Sequence, residues 1–206
     1  MQEFTACLKS PPLIPRQPVP ELSVRTVGGS TWSISEQSPK NFSLVVFFRG
    51  LHCPICANYL CDLQRKLSDF TKQGVNVIAI SSDSKERAEK TAEDWGLDQL
   101  TLGYGLDLIT ARRWGLFVST GRGPTSSGIE ETRLFNEPGL YLIRPDGTLY
   151  FGSVQTMPFS RPSFAEILNG LKFVLEKNYP ARGQVVDHEN PESSASDWPN
   201  ANYDPQ

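Results

Sequence analysis

FSLVVFFRGLHCPICANYLCDLQRKLSDFTKQG occupies residues 42–74, and its reading decides how the rest of the chain is understood. Residues 42–49 form a continuous β-branched and aromatic run, the pattern of a strand covered on both faces. Gly50, Leu51 and His52 turn the chain. From there Ile55, Tyr59, Leu60, Leu63, Leu67 and Phe70 recur at three- and four-residue spacing, which predicts one helix ended by Gly74. A strand, a short turn and Cys-x-x-Cys at a helix start is a far more specific arrangement than the cysteine spacing alone.

The chemistry follows from where Cys53 sits. Unsatisfied backbone N–H groups and the positive end of the helix dipole gather at a helix N-terminus. A thiolate there is stabilised, so its pKa falls below the roughly 8.5 of free cysteine. Pro54 is tolerated just inside the helix because no carbonyl awaits its missing N–H. Cys56 lies one turn on and can resolve a mixed disulfide formed at Cys53. Cys-x-x-Cys also opens zinc sites, but these need a second ligand pair, and Cys7, Cys61, His52 and His188 are scattered. Redox chemistry with no metal and no organic cofactor is therefore expected.

Outward from this segment, residues 22–27 alternate apolar and polar side chains, Gly28 and Gly29 turn, and residues 31–34 return as a hairpin. Residues 75–80 (VNVIAI) read as a second buried strand. Asp83 is expected to cap a helix reaching Trp95 and Gly96, with Glu86 at capping-box distance. A short helix follows at about 107–114, and GRGPTSSG at 121–128 reads as a loop without the Gly-Lys-Ser/Thr ending of a phosphate loop. Residues 140–143 and 148–152 flank a Pro145-Asp146-Gly147 turn. Residues 163–178 form the last helix, with Phe164, Ile167, Leu168, Leu171 and Leu175 on one face. The order predicts an α/β domain: a central mixed sheet with helices on both faces and an N-terminal β-hairpin.

Three parts are expected. Residues 1–21, with five prolines between Pro11 and Pro20, predict an arm lying on the domain surface. Residues 22–182 form the domain, and the acidic, Pro- and Asn-rich residues 183–206 predict a disordered tail. Net charge over the 206 residues is −3, with no Lys or Arg block, so neither nucleic acid nor anionic membrane is an expected partner. The longest apolar run, 44–48, is too short to span a bilayer. The N-terminus lacks a signal-peptide h-region and cleavage pattern, so a cytoplasmic location is expected.

VVFFRGLHCPIC is similar to the active-site strand, turn and helix start of thioredoxins. More closely, FFRGLHCPICANYLCDLQ resembles the peroxiredoxin-like branch of the alkyl hydroperoxide reductase and thiol-specific antioxidant (AhpC/TSA) family. The likeness continues through GYGLDLITARRWGL and EPGLYLIRPDGTLYFGSVQTMPFSRPSF to YPARG, over roughly residues 19 to 183. It implies a thioredoxin-like fold and thiol-based antioxidant or disulfide-exchange chemistry. The implied substrates are protein or small-molecule disulfides, or hydroperoxides, with a thioredoxin- or glutathione-type electron donor. Pro138 looks like the cis-proline that faces the active-site helix in thioredoxins, so a substrate-positioning cis bond is expected there. Peroxiredoxins proper carry Pro-x-x-x-Thr-x-x-Cys and an arginine at the place of Pro138. Here Gly50 and Pro54 are taken to stand for that proline and threonine. Peroxide reduction is then expected to be slow, unless Arg49, Arg133 or Arg161 supplies the missing donor.

The likeness to thioredoxins makes Cys53 the attacking thiol, and that to peroxiredoxins makes it Cys56. The expected function is a thiol–disulfide oxidoreductase using the Cys53–Cys56 couple. A thiol peroxidase and a non-catalytic redox sensor are the alternatives. His52 is a candidate imidazolium that would lower the Cys53 pKa, and Arg49 a candidate source of positive potential. Cys61 reads as core filling. Glu130 and Glu131, like Glu93 and Asp94, read as solvated carboxylates.

Overall fold

The computed structural model describes residues 12–187. Cys7, His188 and the predicted tail from 188 onward lie outside the described residues. The first hairpin is β1 (Ser23–Thr26) and β2 (Thr31–Ser33), paired antiparallel. Then come β3 (Phe42–Phe47), α1 (Pro54–Arg65), α2 (Leu67–Lys72), β4 (Val75–Ile80), α3 (Lys85–Asp94), β5 (Leu102–Tyr104) and α4 (Leu108–Arg113). The chain closes with β6 (Val118–Thr120), β7 (Leu134–Asn136), β8 (Gly139–Ile143), β9 (Leu149–Val154) and α5 (Phe164–Lys177). Seven strands form one mixed sheet in the order β2-β1-β5-β4-β3-β8-β9, and β6 and β7 make a separate two-stranded ribbon.

The central strand is β3, parallel to β4 and antiparallel to β8, with all six residues buried. Its alternation splits the core in two. Phe42, Leu44 and Val46 face a cluster with Leu60, Leu63, Phe70, Phe164 and Leu171 from α1, α2 and α5. Val45 and Phe47 face the other side, where Ala111, Trp114, Leu116 and Tyr141 pack beside α4. Helices thus cover both faces, as the strand–helix order predicts.

Two expectations change. The predicted single helix is two, because Lys66 leaves helical geometry (φ −104°, ψ 2°). Hydrophobic spacing does not register such a break, since Leu63, Leu67 and Phe70 keep the same face on either side of it. The helix after β4 is capped by Ser84, whose side chain accepts the Arg87 N–H, and not by Asp83. Asp83 is buried and turned toward the Gly50 turn. The three-residue strands β5, β6 and β7 carry too short a pattern to stand out in sequence.

The described part of the arm, from residue 12 onward, lies along the sheet. Pro18 bridges Thr148, the Arg16 N–H donates to the Leu149 carbonyl at 2.7 Å, and Arg16 Nε donates to the Ala181 carbonyl at 3.0 Å. Among the described residues no helix is long and apolar enough to cross a membrane.

Candidate active site

β3 delivers the chain to the turn at Gly50, where φ is +128°, a left-handed value that a side chain rarely adopts. The Cys53 N–H closes this turn on the Gly50 carbonyl at 3.1 Å. Cys53 is then the N-cap of α1: its Sγ accepts the Cys56 N–H at 3.3 Å, and Pro54 follows at the first helical position. Cys53 and Cys56 are joined as a disulfide, with 5.2 Å between their Cα atoms. Both are buried, at 1 % and 0 % exposure.

The side chain that reaches the sulfurs is Arg161. Its Nη2 lies 3.1 Å from Cys56 Sγ and 4.0 Å from Cys53 Sγ. The guanidinium rests over the Tyr59 ring at 5.0 Å, and the Tyr59 hydroxyl donates to the Pro162 carbonyl at 2.7 Å, holding the segment before α5 against α1. Burial lowers the Arg161 pKa to about 10, which leaves it cationic near neutral pH. Its Nε and Nη1 are buried without a hydrogen-bond partner. Sequence reading named Arg161 only as one of three arginines, because 105 positions separate it from Cys56 and no local pattern links them.

The other candidates resolve differently. The Glu137–Pro138 bond is trans, since the structure contains no cis peptide among the described residues. Pro138 lies between β7 and β8, and its carbonyl accepts the Gln155 N–H at 3.0 Å. The chain continues from strand to strand there with no tight turn to oppose the ordinary trans preference. The positioning role expected of Pro138 therefore loses its premise, the cis bond.

His52 is buried (0 % exposed) and packed on Phe135 with 4.6 Å between ring centroids. Burial pulls its pKa from 6.5 down to about 4, against the raising effect of the Asp83 carboxylate. Near neutral pH it is an uncharged imidazole, so the imidazolium expected beside Cys53 does not form. Arg49 covers the Phe135 ring, donates to Glu131 at 3.1 Å, and stands 3.4 Å from Glu137. Its charge is balanced by two carboxylates, and Glu131 is a partner of Arg49 rather than a solvated group. Cys61 is partly buried against the core, with its thiol donating to the Trp95 carbonyl.

Counting back from Cys56 with the spacing Pro-x-x-x-Thr-x-x-Cys matches only the cysteine. Three residues before Cys56 is Cys53, at the threonine place, and seven before it is Arg49, at the proline place. The assignment of these places to Pro54 and Gly50 is corrected accordingly, since Gly50 does not stand seven residues before either cysteine, nor Pro54 three. A cleft of about 610 Å³ opens beside Arg49 and Glu137, bordered by Ser119, Thr125, Met157 and Pro158. No group of three or more His, Cys, Asp or Glu side chains among the described residues is arranged to hold a metal.

The description of the AhpC/TSA family matches residues 15–151. A Mycobacterium tuberculosis protein named as a peroxiredoxin is 27 % identical over 138 residues, covering 66 % of this chain and 86 % of that relative. Among solved structures, the peroxidoxin BcpB of M. tuberculosis superposes with a TM-score of 0.61 at 17 % identity, covering 79 % of this chain and 98 % of its own. The reduced 2-Cys peroxiredoxin of Plasmodium vivax gives 0.64 at 17 %, covering 81 % and 84 %. AhpC of Enterococcus faecalis gives 0.63 at 18 %, covering 82 % and 98 %.

Proposed function

Because the chain belongs to the AhpC/TSA family of thiol-dependent oxidoreductases, we propose that it is a thiol peroxidase in which Cys56 attacks and Cys53 resolves. The observation that carries this reading is the buried Arg161 guanidinium 3.1 Å from Cys56 Sγ. A fixed cation at that sulfur favours the thiolate and offers a donor to the oxygen on which charge develops as the O–O bond breaks. The slow peroxide reduction expected from sequence rested on the lack of two donors, a threonine hydroxyl and an arginine; Arg161 supports the second, while Cys53 stands where the hydroxyl would be.

The reaction balances as follows. The Cys56 thiolate attacks the terminal oxygen of a hydroperoxide, the O–O bond breaks, and the departing alkoxide takes a proton to leave as an alcohol, or as water from hydrogen peroxide. Cys56 is left as a sulfenic acid. The Cys53 thiolate attacks its sulfur, the S–O bond breaks, the departing hydroxide takes a proton from solvent to leave as water, and the disulfide forms. A dithiol of thioredoxin type, or two molecules of a glutathione-type thiol, then returns the pair to the reduced state.

A second reading, disulfide exchange begun by Cys53, draws on one observation: Cys53 caps α1 and accepts an N–H at its sulfur. Stopped-flow mixing of the reduced protein with hydrogen peroxide, an organic hydroperoxide and a small disulfide separates the two. The peroxidase reading expects fast loss of both thiols of the pair in wild type, of one in Cys53→Ser, and of none in Cys56→Ser. Fast reaction with the disulfide alone, abolished in Cys53→Ser, would reverse the assignment.

A further inference from the structure

We propose that Asp83, in the segment between β4 and α3, is a positioning residue for the redox pair, acting through the turn that carries Cys53; the proposal rests on the reading of Cys53 and Cys56 as a redox couple. The Asp83 carboxylate is buried and divided between two donors. Its Oδ2 accepts the Leu51 N–H at 2.7 Å, and its Oδ1 accepts Arg87 Nε at 2.8 Å. The Asp83 backbone is itself anchored: its carbonyl accepts the Gly105 N–H at 2.9 Å, and its N–H donates to Ser81 Oγ at 3.3 Å. Asp83 thus ties the turn before Cys53 to the rigid end of the parallel strands.

The turn leaves no room for anything else. A Cβ on Gly50 would stand 2.5 Å from Asp83 Oδ2 and 2.8 Å from its Cγ and Oδ1. The three closest atoms all belong to the carboxylate, so the absence of a side chain at Gly50 and the presence of one at Asp83 are two halves of one contact. Arg87 extends the anchor, with Nη2 3.5 Å from His52 Nδ1 and donating to the Glu130 carbonyl at 3.2 Å. Thr125 closes it from above, its hydroxyl donating to the His52 carbonyl at 2.7 Å. Residues 50–52 are therefore held on the side of the sheet and on the side of the loop. They lead directly into Cys53, whose sulfur must meet Cys56 to close the disulfide.

The consequence is measurable without peroxide. The equilibrium between dithiol and disulfide in glutathione buffers reports how well Cys53 is held against Cys56. A residue that only stabilises the fold supports both redox forms alike and leaves this equilibrium unmoved. Asp83→Ala is expected to lower the equilibrium constant for disulfide formation about tenfold or more. Asp83→Asn keeps an oxygen for the Leu51 N–H and is expected to stay within about threefold of wild type. Gly50→Ala, which drives a methyl group into the carboxylate, should lower the constant as Asp83→Ala does, and the two changes combined should be clearly less than additive. If Asp83→Ala does not fold, Asp83→Ser, which likewise removes the carboxylate, is measured in its place against Asp83→Asn, and the same outcomes decide. An unmoved equilibrium in Asp83→Ala or Gly50→Ala, with only the melting temperature lowered, overturns the proposal. If the wild type fails to consume hydroperoxide, the peroxidase reading falls while this equilibrium still tests Asp83.

Discussion

At the scale of single residues, the site turns on one guanidinium. Arg161→Ala is expected to slow oxidation by hydrogen peroxide roughly a hundredfold, the usual loss for one preorganised donor. Arg161→Lys should recover only part, since an ammonium lacks the planar fork. Stopped-flow rates at fixed pH check both. His52 gives a pH signature. Its folded pKa of about 4 lies below its ordinary 6.5, so the unfolded chain binds the extra proton first. Its stabilising effect is therefore complete above pH 6.5 and is lost as pH falls toward 4, by up to roughly 3 kcal/mol. Denaturant unfolding across that window should steepen in wild type and flatten in His52→Phe. Cys53 and Cys56 are legible in sequence because spacing and helix start coincide locally. Arg161 and Asp83 are not, because their partners are 105 and 32 positions away. Pro138 misleads for a related reason: sequence locates a proline at a strand start, but the isomer is set by the surrounding chain.

At the scale of elements, α5 holds the arginine in place. Phe164 opens the helix, stacks on Tyr59 of α1 at 4.2 Å between ring centroids, and is fully buried. Phe164→Ala should cost about 3–5 kcal/mol in denaturant unfolding. It should also slow peroxide oxidation, because Arg161 and Pro162 immediately precede the loosened helix start. Trp114→Ala removes an equally buried ring from the core on the other face of the sheet and should cost a similar amount while leaving the peroxide rate nearly unchanged. The comparison separates general stability from the register of α5 on α1. Helix periods mark α1 and α5 in sequence, whereas the break at Lys66 leaves Leu63, Leu67 and Phe70 on one face and so gives no sign.

At the scale of the whole molecule, the arm and the chain beyond α5 meet across the sheet, with Leu13 and Val19 packed on the α4-side core. Removing residues 1–19 strips that cover and is expected to lower the melting temperature by about 2–4 °C for each kcal/mol lost. The redox equilibrium of the cysteine pair should change little, since Arg161, Asp83 and the Gly50 turn all remain. A large shift in that equilibrium would show the arm to be part of the site. Prolines mark the arm in sequence, but its pairing with β9 is a long-range choice that composition does not encode.

The separation of Cys56 from Arg161 also has a meaning in time. Chains are made at roughly 5–20 residues per second, so the sulfur leaves the ribosome about 5–20 s before its guanidinium does. During that interval Cys53 and Cys56 hang on an unfinished sheet, uncovered by α5 and with the ordinary reactivity of peptide thiols. A nascent chain arrested before residue 161 should be alkylated at both positions at the rate of a free peptide, and should gain its distinctive chemistry only when Arg161 and α5 are released.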